Sequence, residues 1–114
     1  MSIASEKIVS KAQLAAVARL FSALAEPSRL TLLHALRQGT KSVSELVATS
    51  KMKQANVSKH LAVLRQHHLV KPEREGNSIR YEIADPLVFG LCDLVCSKLA
   101  ADTRKAAALF SPDI

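Results

Sequence analysis

The sequence predicts a mainly α fold with a small β-hairpin: five or so helices, a helix-turn-helix near the middle, and the hairpin behind it as a wing. Three observations carry that expectation. Apolar residues recur at helical spacing through most of the 114-residue chain. Residues 46–72 hold five cations (Lys51, Lys53, Lys59, Arg65, Lys71) and no Asp or Glu, a local charge of +5 against +6 for the whole chain. Directly after them, Ile79, Tyr81 and Ile83 alternate with Arg80 and Glu82, the period-2 pattern of a strand.

Bulk properties bound the rest. This length suits one domain over residues 1–114, with 1–5 and 110–114 expected to be flexible. The chain is 48% hydrophobic and 23% charged, a globular balance. Its pI of about 9.7 favours an anionic partner. Aromatics make up 4% with no Trp, so base stacking on aromatics is poorly supported. No apolar run is long enough for a bilayer and no secretory signal is evident, so no membrane partner and a cytoplasmic location are expected. Two cysteines make no disulfide framework.

The first helix is expected from about Glu6 to Ala25, with Leu14, Val17, Phe21 and Leu24 as its stripe and Leu20 beside it. Pro27 starts a second helix, since a first-turn N–H is not needed there. Leu30, Leu33 and Leu36 are expected inward with Leu32 and Ala35 beside them, and Gly39 is the stop. Ser42 and Glu45 fit a capping box for a short helix over Val43–Thr49 with Leu46 and Val47 inward. Ser50-Lys51-Met52 makes a tight turn into a helix over Lys53–Gln66.

That helix buries Val57, Leu61 and Leu64, spaced i, i+4, i+7. Its other surface carries Gln54, Asn56, Ser58, Lys59 and His60, groups able to bond base edges and phosphates. A cationic second helix after a short turn reads as a recognition helix for double-stranded DNA. Strands over 70–75 and 78–84 follow, turning at Gly76-Asn77, with Pro72 suited to an edge. Lys51, Lys53, Arg74, Asn77 and Arg80 are the expected backbone and wing contacts. Asp85-Pro86 starts the last helix, expected to run to about Leu109. Val88, Cys92, Val95 and Leu99 form one stripe on it, and Leu87, Leu91 and Leu94 another. So wide an apolar surface, with the long first helix, implies a homodimer through the two terminal helices. The chain lacks a Gly-rich phosphate loop, a catalytic metal cluster and a Ser–His–acid arrangement, so no enzyme is expected. A winged-helix protein-interaction module is the alternative, and it would not need an acid-free quarter facing outward.

Over roughly residues 13–100 the chain resembles the ArsR family of bacterial winged-helix repressors. The carriers are Leu24-Ala25-Glu26-Pro27-Ser28-Arg29-Leu30, Leu33-His34-Ala35-Leu36, Ser44-Glu45-Leu46, the run from Asn56 to Arg65, and Arg80-Tyr81-Glu82-Ile83. The resemblance implies a dimeric repressor that holds its operator until an inducer binds. The chain departs from the family at Glu26 (often Asp), Lys53 (often Ser) and His68 (commonly Gly).

Many family members bind a metal, and two of their sites are missing here. The soft-metal motif Cys-Val-Cys belongs on the helix before the recognition helix, and residues 43–49 hold no Cys. The zinc-type site needs a His two residues after an Asp, and Leu87 follows Asp85 at that spacing. Cys92 and Cys96 remain, four residues apart on one helix face. Three roles fit them: buried small hydrophobes in a repressor with no metal or redox input, thiolate ligands for a soft metal or arsenical alone or across a dimer, and sensors of oxidation or persulfide. No cofactor beyond that metal is expected.

Overall fold

A computed structural model describes residues 9–105. They form α1 (Lys11–Leu24), α2 (Pro27–Leu36), β1 (Lys41–Ser42), α3 (Val43–Ser50), α4 (Gln54–Gln66), β2 (Val70–Glu75), β3 (Ser78–Ile83) and α5 (Leu87–Lys105). The chain divides into two compact units, one ending at Ala84 and one beginning at Asp85.

In the first unit each helix starts where the local chemistry dictates. Ser10 caps α1: its hydroxyl accepts from the Gln13 N–H, and the Gln13 side chain accepts from the Ser10 N–H. Residues 9 and 10 are therefore outside the helix, later than the start expected at Glu6, and residues 6–8 lie outside the described set. Glu26 caps α2 through the Ser28 N–H, with Pro27 in the first turn. Ser42 and Glu45 make the reciprocal box on α3.

The core is Leu32, Leu33 and Leu36 of α2, Leu46 of α3, Val57, Leu61 and Leu64 of α4, and Leu69 and Val70 beyond it. Each fully buried side chain of this kind contributes roughly 1.5–3 kcal/mol. The inner face of α2 differs from the expected Leu30–Leu33–Leu36 line. Leu30 is 39% exposed, while Leu32 and Ala35, expected beside that line, are buried with Leu33 and Leu36. The inward stripe is Arg29, Leu32, Leu33 and Leu36, at i, i+3, i+4 and i+7, and Arg29 holds its first place by bonding carbonyls of α1.

The sheet has the order β1-β3-β2, all antiparallel. Two-residue β1 pairs Lys41 with Tyr81 and Ser42 with Arg80. It is too short to leave a periodic signal in the sequence. Pro72 lies on the outer strand β2, where its missing N–H breaks no ladder bond.

The second unit is α5. The Asp85 side chain accepts from the Leu87 N–H at 3.0 Å, the expected cap. The expected end near Leu109 and the expected flexible 110–114 lie outside the described residues. Leu87, Leu94, Val95 and Leu99 are all exposed. Among the described residues no helix is long and apolar enough to cross a membrane.

Candidate nucleic-acid interface

A sharp turn aims α4. Lys51 ends α3 in the left-handed region, φ 61° and ψ 21°, with its N–H on the Val47 carbonyl. The Met52 N–H donates to the Ser50 hydroxyl at 3.2 Å. Lys53 is the N-cap of α4 and supplies no side-chain bond to it. The first-turn N–H groups of α4 thus keep the partial positive charge of a helix start, next to Lys51 and Lys53.

Val57, Leu61 and Leu64 are buried, which turns Gln54, Asn56, Ser58 and Lys59 outward, all exposed. No carboxylate pairs with Lys51, Lys53, Lys59, Arg65 or Arg74 among the described residues. The helix therefore presents uncompensated charge to solvent, as a phosphate-binding surface requires.

His60 is half-buried and more constrained than its neighbours. Its Nδ1 lies 3.3 Å from an Arg29 nitrogen. A guanidinium only donates, so the contact is a hydrogen bond in the tautomer that leaves Nδ1 free to accept and carries its proton on Nε2. Arg29 also donates to the carbonyls of Ala23 at 2.6 Å and Ser22 at 3.2 Å. One side chain thus joins the end of α1, the start of α2 and the recognition helix. In sequence Arg29 is simply an Arg on an otherwise apolar inner stripe, and nothing local marks it as a partner of α4.

The end of α4 is equally defined. The Leu69 N–H reaches the Leu64 carbonyl and the His68 N–H the Arg65 carbonyl, both at 2.9 Å. These are the paired bonds of a Schellman motif, with His68 at φ 60° in the place that glycine favours.

The wing splits its two expected arginines. Arg74 is exposed and Asn77 sits at the exposed tip. Arg80, expected as a DNA contact, is half-buried and engaged within the chain. It donates to the Thr40 hydroxyl at 3.0 Å and the Thr40 carbonyl at 2.9 Å, and pairs with Glu45 at 2.9 Å and Glu75 at 3.7 Å. Those bonds fix the wing to the start of α3. The Ser42 N–H, then the Arg80 charge, hold the Glu45 carboxyl below its ordinary value against some desolvation. Glu26 is lowered likewise, chiefly by the Ser28 N–H.

Cys92 is half-buried and Cys96 exposed on α5. No group of three or more His, Cys, Asp or Glu that could hold a metal exists among the described residues. One chain therefore brings two sulfur donors, a set suited to a soft ion and incomplete by itself.

Comparison with known proteins agrees with this surface. Residues 26–71 match the family model described as bacterial regulatory protein, arsR family. The chain is 40% identical over 85 residues to the transcriptional repressor SmtB homolog of Synechocystis sp., spanning 75% of this chain and 64% of that protein, just under two thirds of its length. It superposes on the homodimeric winged helix-turn-helix DNA-binding domain of Mb0332 from Mycobacterium bovis with a TM-score of 0.69, at 35% identity, covering 82% of this chain and 84% of that one. The AntR antimony-specific transcriptional repressor gives a TM-score of 0.73 at 36% identity, covering 90% and 94%.

Proposed function

The chain belongs to the arsR family of bacterial regulatory proteins, and on that premise we propose that it is a homodimeric repressor of double-stranded operator DNA whose release is governed by Cys92 and Cys96. The family is one of transcriptional regulators, not enzymes. The observation that carries the DNA reading is α4: five polar or cationic side chains exposed or half-exposed on one helix, with no acid to neutralise them. Gln54, Asn56, Ser58 and the Nε2–H of His60 are the base-edge readers, and Lys51, Lys53, Lys59, Arg74 and Asn77 hold backbone. Arg80 positions the wing. Residues 1–114 act as one DNA-binding domain, and the homodimer of Mb0332 supports self-association.

Cys92 and Cys96 would hold the inducer. Exposure of Cys96 favours chemistry over core packing for that thiol. Similarity to an antimony-specific repressor supports a trivalent metalloid or soft metal as the ligand. Two thiols from each of two copies would make a four-sulfur set. Thiol oxidation is the second reading, favoured by the same exposure.

The test is DNA binding with and without arsenite, antimonite, zinc, cadmium and a persulfide donor. Wild type is compared with the Cys92→Ser, Cys96→Ser double variant. Release in wild type alone, by one class of reagent, identifies the inducer class. Equal affinity in every arm removes both cysteines from regulation. Failure of wild type to bind any duplex removes the repressor reading itself.

A further inference from the structure

Between α4 and the wing runs a cleft that shares only Ser58 with the base-reading face. Its larger hollow, about 500 Å³, is lined by Ser58, Ala62, Arg65 and His68 with Tyr81 opposite. A second hollow of about 290 Å³ continues toward the wing tip between Arg65, Arg74, Ile79 and Tyr81. Arg65 and Tyr81 border both, so the two hollows adjoin.

The pleat sorts the wing's charges between its faces. Paired residues share a face. Pro72 with Tyr81 and Arg74 with Ile79 make the face that lines the cleft. Lys71 with Glu82, Glu73 with Arg80 and Glu75 with Ser78 make the other. All three wing carboxylates therefore lie away from the cleft, on the face where Lys71 pairs with Glu82 and Arg80 with Glu75. The cleft side carries Arg65 and Arg74 with no acid. Neither guanidinium has an ion pair, and the Tyr81 hydroxyl has no hydrogen bond, among the described residues.

We propose that this cleft seats one phosphodiester of the DNA backbone, held by Arg65 and Arg74 with the Tyr81 hydroxyl as a third donor. The proposal rests on the DNA-binding reading above. Charge selects an anion, and two guanidiniums from different elements suit the forked geometry of a phosphate. Continuity selects DNA. Ser58 belongs both to the outward face of α4 and to the wall of the cleft. A strand whose base edges meet α4 must pass its backbone beside that helix, toward the wing. His68, at the rim, occupies a strained backbone position and adds a polar ring there.

The experiment uses the full chain and a random-sequence duplex over a salt series. Wild type should show log affinity falling linearly with log salt. Arg65→Gln should make that slope shallower by about 0.9 for each phosphate the side chain no longer neutralises. Arg65→Lys should restore it, since the slope reads charge. Arg74→Gln should lower the slope in the same way, and it serves as the parallel test if Arg65→Gln fails to fold. Tyr81→Phe should weaken binding about tenfold with the slope unchanged. Arg19→Gln, an exposed cation on α1, removes the same formal charge and should leave the slope as it is. A wild-type slope in both Arg65→Gln and Arg74→Gln overturns the seat while leaving DNA binding intact. An equal loss in Arg19→Gln also overturns it, because overall charge would then explain the effect. No salt-dependent binding by wild type overturns the DNA reading and the seat together.

Discussion

His68 and Lys51 are the two non-glycine residues with positive φ among those described, at 60° and 61°. A Cβ in that region costs on the order of 1 kcal/mol. His68→Gly should therefore stabilise the protein by up to about 0.5 kcal/mol, since part of the strain relief is returned as backbone entropy of the unfolded glycine. Urea unfolding at fixed protein concentration checks it, and an unchanged or lower midpoint would mean that the imidazole contributes more than the backbone strain removes. Glu45 makes a different prediction at the same scale. Its folded-state carboxyl sits below the ordinary 4.5, chiefly through the Ser42 N–H and secondarily through Arg80. A depressed carboxylate stabilises the fold above its unfolded value, and that stability is lost as pH falls through the folded one. Wild type should thus melt above Glu45→Gln at neutral pH, and the gap should close as pH drops below 4.5. Gln keeps the side-chain oxygen that accepts in the capping box, so the closing gap reads the charge. A gap constant down to acid pH would sink the assignment.

At the level of elements, Arg29 decides how the recognition helix is held. Its three contacts reach the last turn of α1 and His60 on α4. Arg29→Ala should cost on the order of 2 kcal/mol, because the Ala23 carbonyl, on a buried residue, loses a charged donor. Thermal unfolding checks this, with Arg29→Lys expected to recover only part, since an ammonium cannot reproduce a fork of donors. Full recovery by Lys would show that charge alone matters there. The same element shows where sequence reading stops. The turn, α4 and the hairpin are legible because caps, glycine and apolar spacing are local signals, and their bounds agree with expectation within a residue. The first turn of the inward face of α2, where Arg29 and not Leu30 points in, is not, because Arg29 is placed by carbonyls on another helix. β1 is not, because two residues become a strand only through Tyr81 and Arg80. The start of α1 is written locally in Ser10 and Gln13, a box that a long Ala-rich stretch obscures. Among site residues, exposure of Gln54, Asn56, Ser58 and Lys59 follows from the period of the buried positions. The inward engagement of Arg80 does not, since Thr40 and Glu45 are distant in sequence. Arg65 and Tyr81 look ordinary in sequence because their shared cleft exists only once the wing folds beside α4.

The whole molecule carries more apolar surface than one copy covers. Leu14, Val17 and Phe21 of α1 are each more than 40% exposed, and on α5 Leu87 and Leu94 exceed 70%. Isolated apolar side chains are ordinary on a surface, but helical stripes of them are the mark of an interface. Our reading assigns both stripes to a second copy, which also brings the second pair of thiols. Phe21→Glu combined with Leu94→Glu should then give a monomer by sedimentation at micromolar concentration, with helical content kept because neither side chain belongs to the core. Two linked DNA-reading heads bind far more tightly than one, by about 10² or more where both engage. The monomeric variant should lose DNA affinity by at least that factor, although neither substitution touches α4 or the wing. A wild-type chain that sediments as a monomer, or a charged variant that stays dimeric, would remove the terminal helices from the interface. A monomeric variant with undiminished affinity would mean that one recognition helix suffices, and the four-sulfur set across two copies would then have no bearing on operator release.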